Sequence, residues 1–172
     1  LKCDNQQVFT SPIKGTRPRG STSTEEHLLR KEMVDDEKER AEHRMLVDLM
    51  RNDIARVSKV VSISIERFDV EAYAQVQHLV SHLSGDLEKD KSGIDAIQNV
   101  FPGGSITGCP RTVVCAAIDE VEKRPRSFWT GSLGWIDVHS GSCALNIMIR
   151  TLIAHKTRYG WTGSVAAGGG IT

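Results

Sequence analysis

This chain lacks an excess of charge of either sign: Lys and Arg together number 22, Asp and Glu also 22, and the formal net charge is +0. Such a balance offers no long-range field, so nothing points to nucleic acid or an anionic membrane as a partner. Long hydrophobic runs are also missing. No apolar stretch approaches the length that spans a bilayer, and no signal peptide is present. The four cysteines, Cys3, Cys109, Cys115 and Cys143, form no CxxC pair and no framework of a small secreted domain. They read as reduced thiols, which implies a cytoplasmic protein. Internal repeats and low-complexity segments are absent. The 172 residues suffice for one domain with a real core. The first residue is Leu1 rather than Met, and the sequence closes on VAAGGGIT. The expectation is therefore a fragment, residues 1–172 of a single domain incomplete at both ends.

The most informative stretch is FPGGSITGCPR at 101–111. Glycines lead into Pro110, and TVVCAAIDEVEK after it reads as a helix, since proline suits a first helical turn. Free N–H groups at such a terminus favour an anion. Gly103 and Gly108 have P-loop separation, but Cys109-Pro110 stands where Lys and then Ser or Thr would hold phosphate and magnesium, so Walker-type nucleotide binding is not expected. Taken alone, the loop also reads as a tight turn before a well-started helix.

Residues 7–14 are extended in character, and GTRPRGSTST after them has the composition of a loop. Residues 24–57 are helical, with a break near Val34-Asp35-Asp36 where Asp can cap a second helix. In that helix Leu46, Leu49, Met50, Ile54 and Val57 form an apolar stripe whose backward extension lands on Glu42 and Glu39. Carboxylates in line with a core-facing stripe need cations or a metal; the same acids also read as a solvated first turn that complements the helix dipole. Val61, Ile63 and Ile65 alternate as in a strand, and a second extended run at 72–83 carries His78 and His82 on one face. No Glu follows His78, so this is not a zinc motif, and a lone histidine here also reads as a hydrogen-bonded structural residue. DAIQNV is a short helix. TGSLGWIDV, a turn at 139–142 and CALNIMIRTLIAH read as a long antiparallel hairpin. Arg150, deep in its second strand, would need an acidic partner or a carboxylate ligand. Residues 159–172 read as a third strand ending in Gly168-Gly169-Gly170.

PIKGTRPRG at 12–20, DEKERAEHRMLVDLMRNDIARV at 36–57, HLVS at 78–81, FPGGSITGCP at 101–110, TGSLGW at 130–135, IRTL at 149–152 and GGGI at 168–171 together resemble the chorismate-utilising enzymes. That group includes component I of anthranilate synthase, component I of aminodeoxychorismate synthase, and the isochorismate and salicylate synthases. The resemblance covers the C-terminal portion of such an enzyme. It implies an α/β (α+β) fold, part of a chorismate-binding sandwich of antiparallel sheets with helices on the outside, with Mg2+ as cofactor. Chorismate is a dicarboxylate, so the anion at the glycine loop would be a carboxylate.

Within the family, PIKGT with Lys14 resembles aminodeoxychorismate synthases, whereas anthranilate and isochorismate synthases usually carry alanine there. The resemblance implies that the Lys14 amine attacks the ring, and Trp129 also looks like that branch. It further implies that Glu42 ligates magnesium, with Glu39 beside it at the metal or in catalysis, and that His78 assists departure of the C4 hydroxyl. Arg150 would pair with a substrate carboxylate. Gly15, Thr16, Ser105, Thr107, Gly108, Trp129, Gly168 and Gly170 would line the pocket. A glutamine amidotransferase, as subunit or fused domain, would supply ammonia. GCPR stands where GAPK is commoner, so Arg111 replaces a lysine. The general-acid glutamate and a second magnesium glutamate are expected outside these residues, so the 172 residues alone are expected to be inactive. Anthranilate synthase component I, an isochorismate or salicylate synthase, and a non-catalytic carboxylate-binding module are the alternatives.

Overall fold

The structure, a computed structural model, describes residues 1–169, and of Arg67 and Phe68 only the backbone. Gly170 therefore lies outside the described residues. Three strands open the chain: β1 (Lys2–Asp4), β2 (Gln7–Thr10) and β3 (Ile13–Pro18). The first half of the expected loop is thus strand, because Thr16, Arg17 and Pro18 pair with a later strand despite their turn-like composition. Helices α1 (Ser23–Asp35) and α2 (Glu37–Ala55) follow. Asp36 separates them, and its side chain accepts from the Glu39 N–H at 2.9 Å, an N-cap that satisfies one of the helix's orphan donors.

Next come β4 (Ser64–Ala72) and β5 (Val76–Asp86), a hairpin paired from Ser64↔Ser84 to Ala72↔Gln77. The alternation at Val61 and Ile63 misplaces the start of this hairpin: Val61 is 96% exposed with φ 73°, outside the sheet. Helix α3 (Gly93–Val100) starts with a capping box in which Ser92 and Asp95 satisfy each other's backbone. A four-residue turn, α4 (Gly104–Thr107), interrupts the glycine loop, and α5 (Arg111–Glu122) begins after Pro110, which is the N-cap rather than a first-turn residue. Four strands complete the chain: β6 (Ser132–Ile136), β7 (Cys143–Ile147), β8 (Leu152–Thr157) and β9 (Gly160–Val165).

The main sheet is antiparallel throughout. β5 is its spine, with β4 along one side and β2 and β3, two segments of one kinked strand, along the other. β1, β7 and β6 extend the sheet beyond β2. The odd-numbered residues of β5, Gln77 through Leu83, are buried, and this face carries α1, α2 and α3. Val8, Leu83 and Leu87 of the sheet region pack with Val47, Met50, Ile54 and Val57 of the α2 segment and Ala96 of α3. Met33 of α1, Val70 and Leu79 form a second cluster. Each buried Val, Leu, Ile or Met among them contributes roughly 1.5–3 kcal/mol by leaving water. The α2 stripe is rotated slightly from the expected one: His43 and Val47 are buried while Leu46 and Leu49 are half-buried.

The expected long hairpin is shorter. β7 ends at Ile147, Arg150 turns the chain with φ 52°, and β8 pairs only with β9 as a separate two-stranded sheet. No described helix is long and apolar enough to cross a membrane.

Candidate active site

The site begins with an irregularity in β3. From Ile13↔Val80 to Thr16↔His78 the chain takes three steps against two on β5, so one extra residue bulges out. Gly15 occupies the bulge at φ +89°, and a Cβ there would lie 2.6 Å from Glu39 Oε2 and 3.3 Å from Met33 Cγ. Both the left-handed backbone and the lack of space demand glycine. With the bulge, Lys14 and Arg17 both reach the first turns of α2. Lys14 Nζ lies 2.5 Å from Glu42 Oε2. Arg17 Nη1 donates to Glu39 Oε1 at 3.0 Å and Nε to Glu32 Oε1 at 3.1 Å, with Asp36 Oδ2 3.8 Å from Nη2.

These contacts shape the local electrostatics. The hydrogen bond from Lys14 holds the Glu42 carboxyl below the usual glutamate range, against partial desolvation. The Arg17 guanidinium is raised, first by its hydrogen bond to Glu39. Glu39 Oε2 is buried and accepts no hydrogen bond among the described residues. Sequence spacing named Glu39 and Glu42 and the family resemblance named Lys14, but neither found Arg17, which ties Glu39 to β3. The available signal was its place three residues after Lys14, opposite an acidic helix start.

His78 sits on the other face of the sheet. Its Nδ1 is 2.9 Å from Thr16 Oγ1, and its ring lies 5.6 Å from that of Tyr73. Neighbouring Leu79 contacts the Gly15 side of the sheet, so strand alternation directs His78 away from Glu39 and Glu42. His82, on the His78 face, is 3.0 Å from Glu71 Oε1 and 3.1 Å from Ser11 Oγ. The structure thus makes two groups of the predicted residues, Lys14–Gly15–Glu39–Glu42 and Thr16–His78, back to back across β3.

The glycine loop rests on α2 further along. A Cβ on Gly104 would collide with the Leu49 side chain. Leu49 is seven residues beyond Glu42, about 10 Å along the helix axis. Inside the loop, the N–H groups of Ile106 and Thr107 bond to the Gly103 carbonyl, that of Gly108 bonds to Gly104, and the Thr107 hydroxyl donates to Gly103 at 3.2 Å. The turn is therefore held by its own backbone, and Ser105 is left as its exposed hydroxyl.

Trp129 and Gly168 meet elsewhere. They line a cleft of about 720 Å³ with Arg126, Met148 and Ile153, and the Arg126 guanidinium stacks 4.8 Å from the Trp129 ring. Arg150 is exposed in the break between β7 and β8. The reading of an arginine deep in a strand is corrected: its positive φ takes it out of the ladder, so no buried cation has to be neutralised there.

The residues 1–172 match the family model described as chorismate binding enzyme. The chain belongs to the chorismate-binding enzyme family. It is 46% identical over 160 residues to an anthranilate synthase component 1 of Haloarcula marismortui, covering 92% of this chain and 32% of that protein. It is 45% identical over 146 residues to the aminodeoxychorismate synthase component 1 of Bacillus subtilis, covering 84% and 31%. Among solved structures, anthranilate synthase component I from Streptococcus pneumoniae superposes with a TM-score of 0.76 at 35% identity, over 88% of this chain and 33% of that one. The chain thus spans about a third of the length of these relatives.

For a member of this family, the donor set that could hold a divalent cation is small. Among the described residues no cluster of three or more His, Cys, Asp or Glu side chains is placed to bind a metal ion. Glu39 and Glu42 supply two carboxylates one helical turn apart. Magnesium commonly uses one or two protein carboxylates and completes its octahedron with water and substrate. The buried, unbonded Glu39 Oε2 fits that demand, whereas Glu42 would have to exchange its lysine partner.

Proposed function

We propose that this chain is part of the chorismate-binding domain of a cytoplasmic aminodeoxychorismate synthase component I, which converts chorismate and ammonia into 4-amino-4-deoxychorismate and water for para-aminobenzoate and folate synthesis. The single observation that carries the reading is Lys14: its amine emerges from a glycine bulge and lies 2.5 Å from Glu42 on the carboxylate-bearing face of α2.

The reaction needs a nitrogen lone pair, so the Lys14 amine must leave its contact with Glu42 and lose a proton before it attacks. The amine then bonds to ring carbon C2 and gives up a proton, both conjugated ring double bonds shift, and the C4 hydroxyl departs as water after taking a proton. Ammonia next bonds to C4 and gives up a proton, both double bonds shift back, and the C2–nitrogen bond to Lys14 breaks as that nitrogen takes a proton, regenerating the amine. Thr16 holds the His78 imidazole through its hydroxyl on the reverse face of β3 from Lys14, so His78 is not placed to serve the ring that Lys14 attacks, and the proton for the departing hydroxyl would come from the general acid expected outside these residues. Because the N–H groups of Ile106, Thr107 and Gly108 and the Thr107 hydroxyl are bonded within the turn, the exposed Ser105 hydroxyl, rather than a cradle of those N–H groups, and the exposed Arg150 would serve the substrate carboxylates, while Gly15, Thr107, Gly108, Trp129 and Gly168 would border the ligand. Magnesium held by Glu42 and Glu39 would offset the carboxylate charge of the substrate. Ammonia would come from a glutamine amidotransferase, as subunit or fused domain.

The test is Lys14→Ala in the full-length protein. Aminodeoxychorismate formation is expected to fall below about one hundredth of the parent rate, and mass spectrometry of the parent with chorismate should find an adduct on Lys14. An unaffected rate would remove the nucleophile assignment. A second reading, anthranilate synthase component I, rests on the nearly equal identities to the two kinds of relative, 46% and 45%. Anthranilate as the product of the parent enzyme would establish it, and chorismate binding without turnover would indicate a binding module.

A further inference from the structure

Arg111 lies outside every role assigned above, yet two nitrogens of its guanidinium bridge two elements beside the glycine loop. One nitrogen, Nη1, donates to the Asn99 carbonyl at 2.7 Å. The other, Nη2, is bonded to Asp53 Oδ2 on α2. Asn99 lies in the last turn of α3 just before the loop and Arg111 begins α5 just after it. The guanidinium therefore ties the loop's two ends to each other and fastens both to α2. Asp53 is one turn beyond Leu49, the side chain on which Gly104 rests. It is 4% exposed, and burial pushes its carboxyl up while Arg111 opposes that shift. A buried acid on an apolar helix face is kept only with a partner, and here that partner is the loop's own exit residue.

We propose that Asp53 and Arg111 are positioning residues which, through the Asn99 carbonyl, fix the glycine loop on α2 and so hold its carboxylate-binding Ser105 hydroxyl in place. The proposal rests on the reading of that loop as part of the substrate site. The planar fork of arginine reaches the two acceptors with two different nitrogens; a lysine ammonium presents all its donors from one atom and cannot span both in the same way. Arginine at this position is therefore what makes the clamp two-sided.

The experiment uses the full-length protein and two readouts. The first, amide hydrogen exchange without ligand, does not depend on the function assigned. Arg111→Ala and Asp53→Asn should speed exchange at Ile106, Thr107 and Gly108 by about tenfold or more while leaving the β5 amides unchanged, and Arg111→Lys should fall in between. Because a lone buried charge can unfold a protein, the double variant D53L/R111M is included. It removes both charges, keeps the fold by apolar packing, and should still loosen the loop. Parent-like loop protection in D53L/R111M overturns the proposal. The second readout is kinetic: KM for chorismate should rise about tenfold or more with kcat changing less, the split expected when substrate positioning is lost. A loosened loop with unchanged KM would overturn the link to the substrate but not the clamp. Absence of chorismate turnover by the parent would overturn the functional reading and leave the exchange result standing.

Discussion

The sheet with its three helices and the segment from α5 onward differ less in sequence pattern than in fate. Both contain amphipathic helices and alternating strands. In the first, Val8, Val47, Ile54, Val57 and Leu79 are fully buried. After Phe101 the only buried positions among the described residues are Gly104 and Cys143, and Cys143 belongs to the main sheet through its pairing with Cys3. α5 buries none of its residues, and Leu152, Trp161 and Val165 of the β8–β9 hairpin are 70–73% exposed. Periodicity thus reports that an element has an apolar face and leaves open what covers it. The electrostatics divide less sharply. The first region is fastened by long-range ion pairs between β3 and the helices and holds the start of α5 through Arg111 and Asp53, whereas further along the Arg126–Glu122 pair spans four residues.

The sharpest contrast between the regions is chemical. Cys109 is exposed and Cys115 half-buried, beside or within α5; Cys3 and Cys143 are buried. Burial and the adjacent Cys143 push the Cys3 thiol up to about 12, so little reactive thiolate exists there. Alkylation followed by mass spectrometry should label Cys109 at least about a thousandfold faster than Cys3 or Cys143, which react only through opening of the core. Comparable rates would mean that the core under β1 and β7 is open, and the contrast would fail. Stability should divide likewise. Leu83→Ala, in the fully packed cluster, should cost about 2–5 kcal/mol in urea denaturation. Trp161→Ala, a larger truncation at a 73% exposed position, should stay within about 0.5 kcal/mol. A large loss at Trp161 would show that the hairpin is packed against something.

How much of this was legible beforehand follows the range of the interactions. The Asp36 cap is local and the boundary it sets was read from neighbouring residues; the Ser92–Asp95 capping box is equally local, but the short helix was read from Asp95, two residues after its start at Gly93. The alternation of β5 and the shared face of His78 and His82 were readable for the same reason. β3 was not, because Gly15, Thr16, Arg17 and Pro18 have loop composition and are made strand by pairing with β5, 62 residues away at the Thr16–His78 contact. The break at Arg150 carries no glycine or proline to announce it. At the site, Lys14, Glu39 and Glu42 could be singled out, and the structure places them together. That Thr16 lies on the reverse face, beside His78, depends on the one-residue bulge at Gly15, which shifts every later β3 side chain. The buried Asp53 could have been flagged by the same reasoning as Glu39, since it too is an acid on the apolar face of α2.

The smallest expected effect tests whether the long-range ion pairs distinguish the regions. Glu42 and Glu122 both have carboxyls held below the ordinary glutamate value of 4.5, by Lys14 and by Arg126 respectively. A depressed native pKa contributes stability that is complete above the unfolded value and disappears as pH falls through the native one. The loss therefore belongs below about pH 4.5, on the acid limb. For Glu122 the partner is four residues away along one helix, so the unfolded chain keeps part of the interaction and the linkage is weak. For Glu42 the partner is on another element and is lost on unfolding. Glu42→Gln should accordingly be less stable than the parent near neutrality and converge with it as pH falls below about 4.5, while Glu122→Gln should run parallel to the parent. Asp53, raised by burial, contributes in the opposite direction in the same window, but it is common to all three proteins and cancels in the differences. Urea midpoints measured from about pH 3 to 7 decide the matter. Parallel curves for Glu42→Gln and the parent would show that the Lys14–Glu42 contact does not hold β3 to α2.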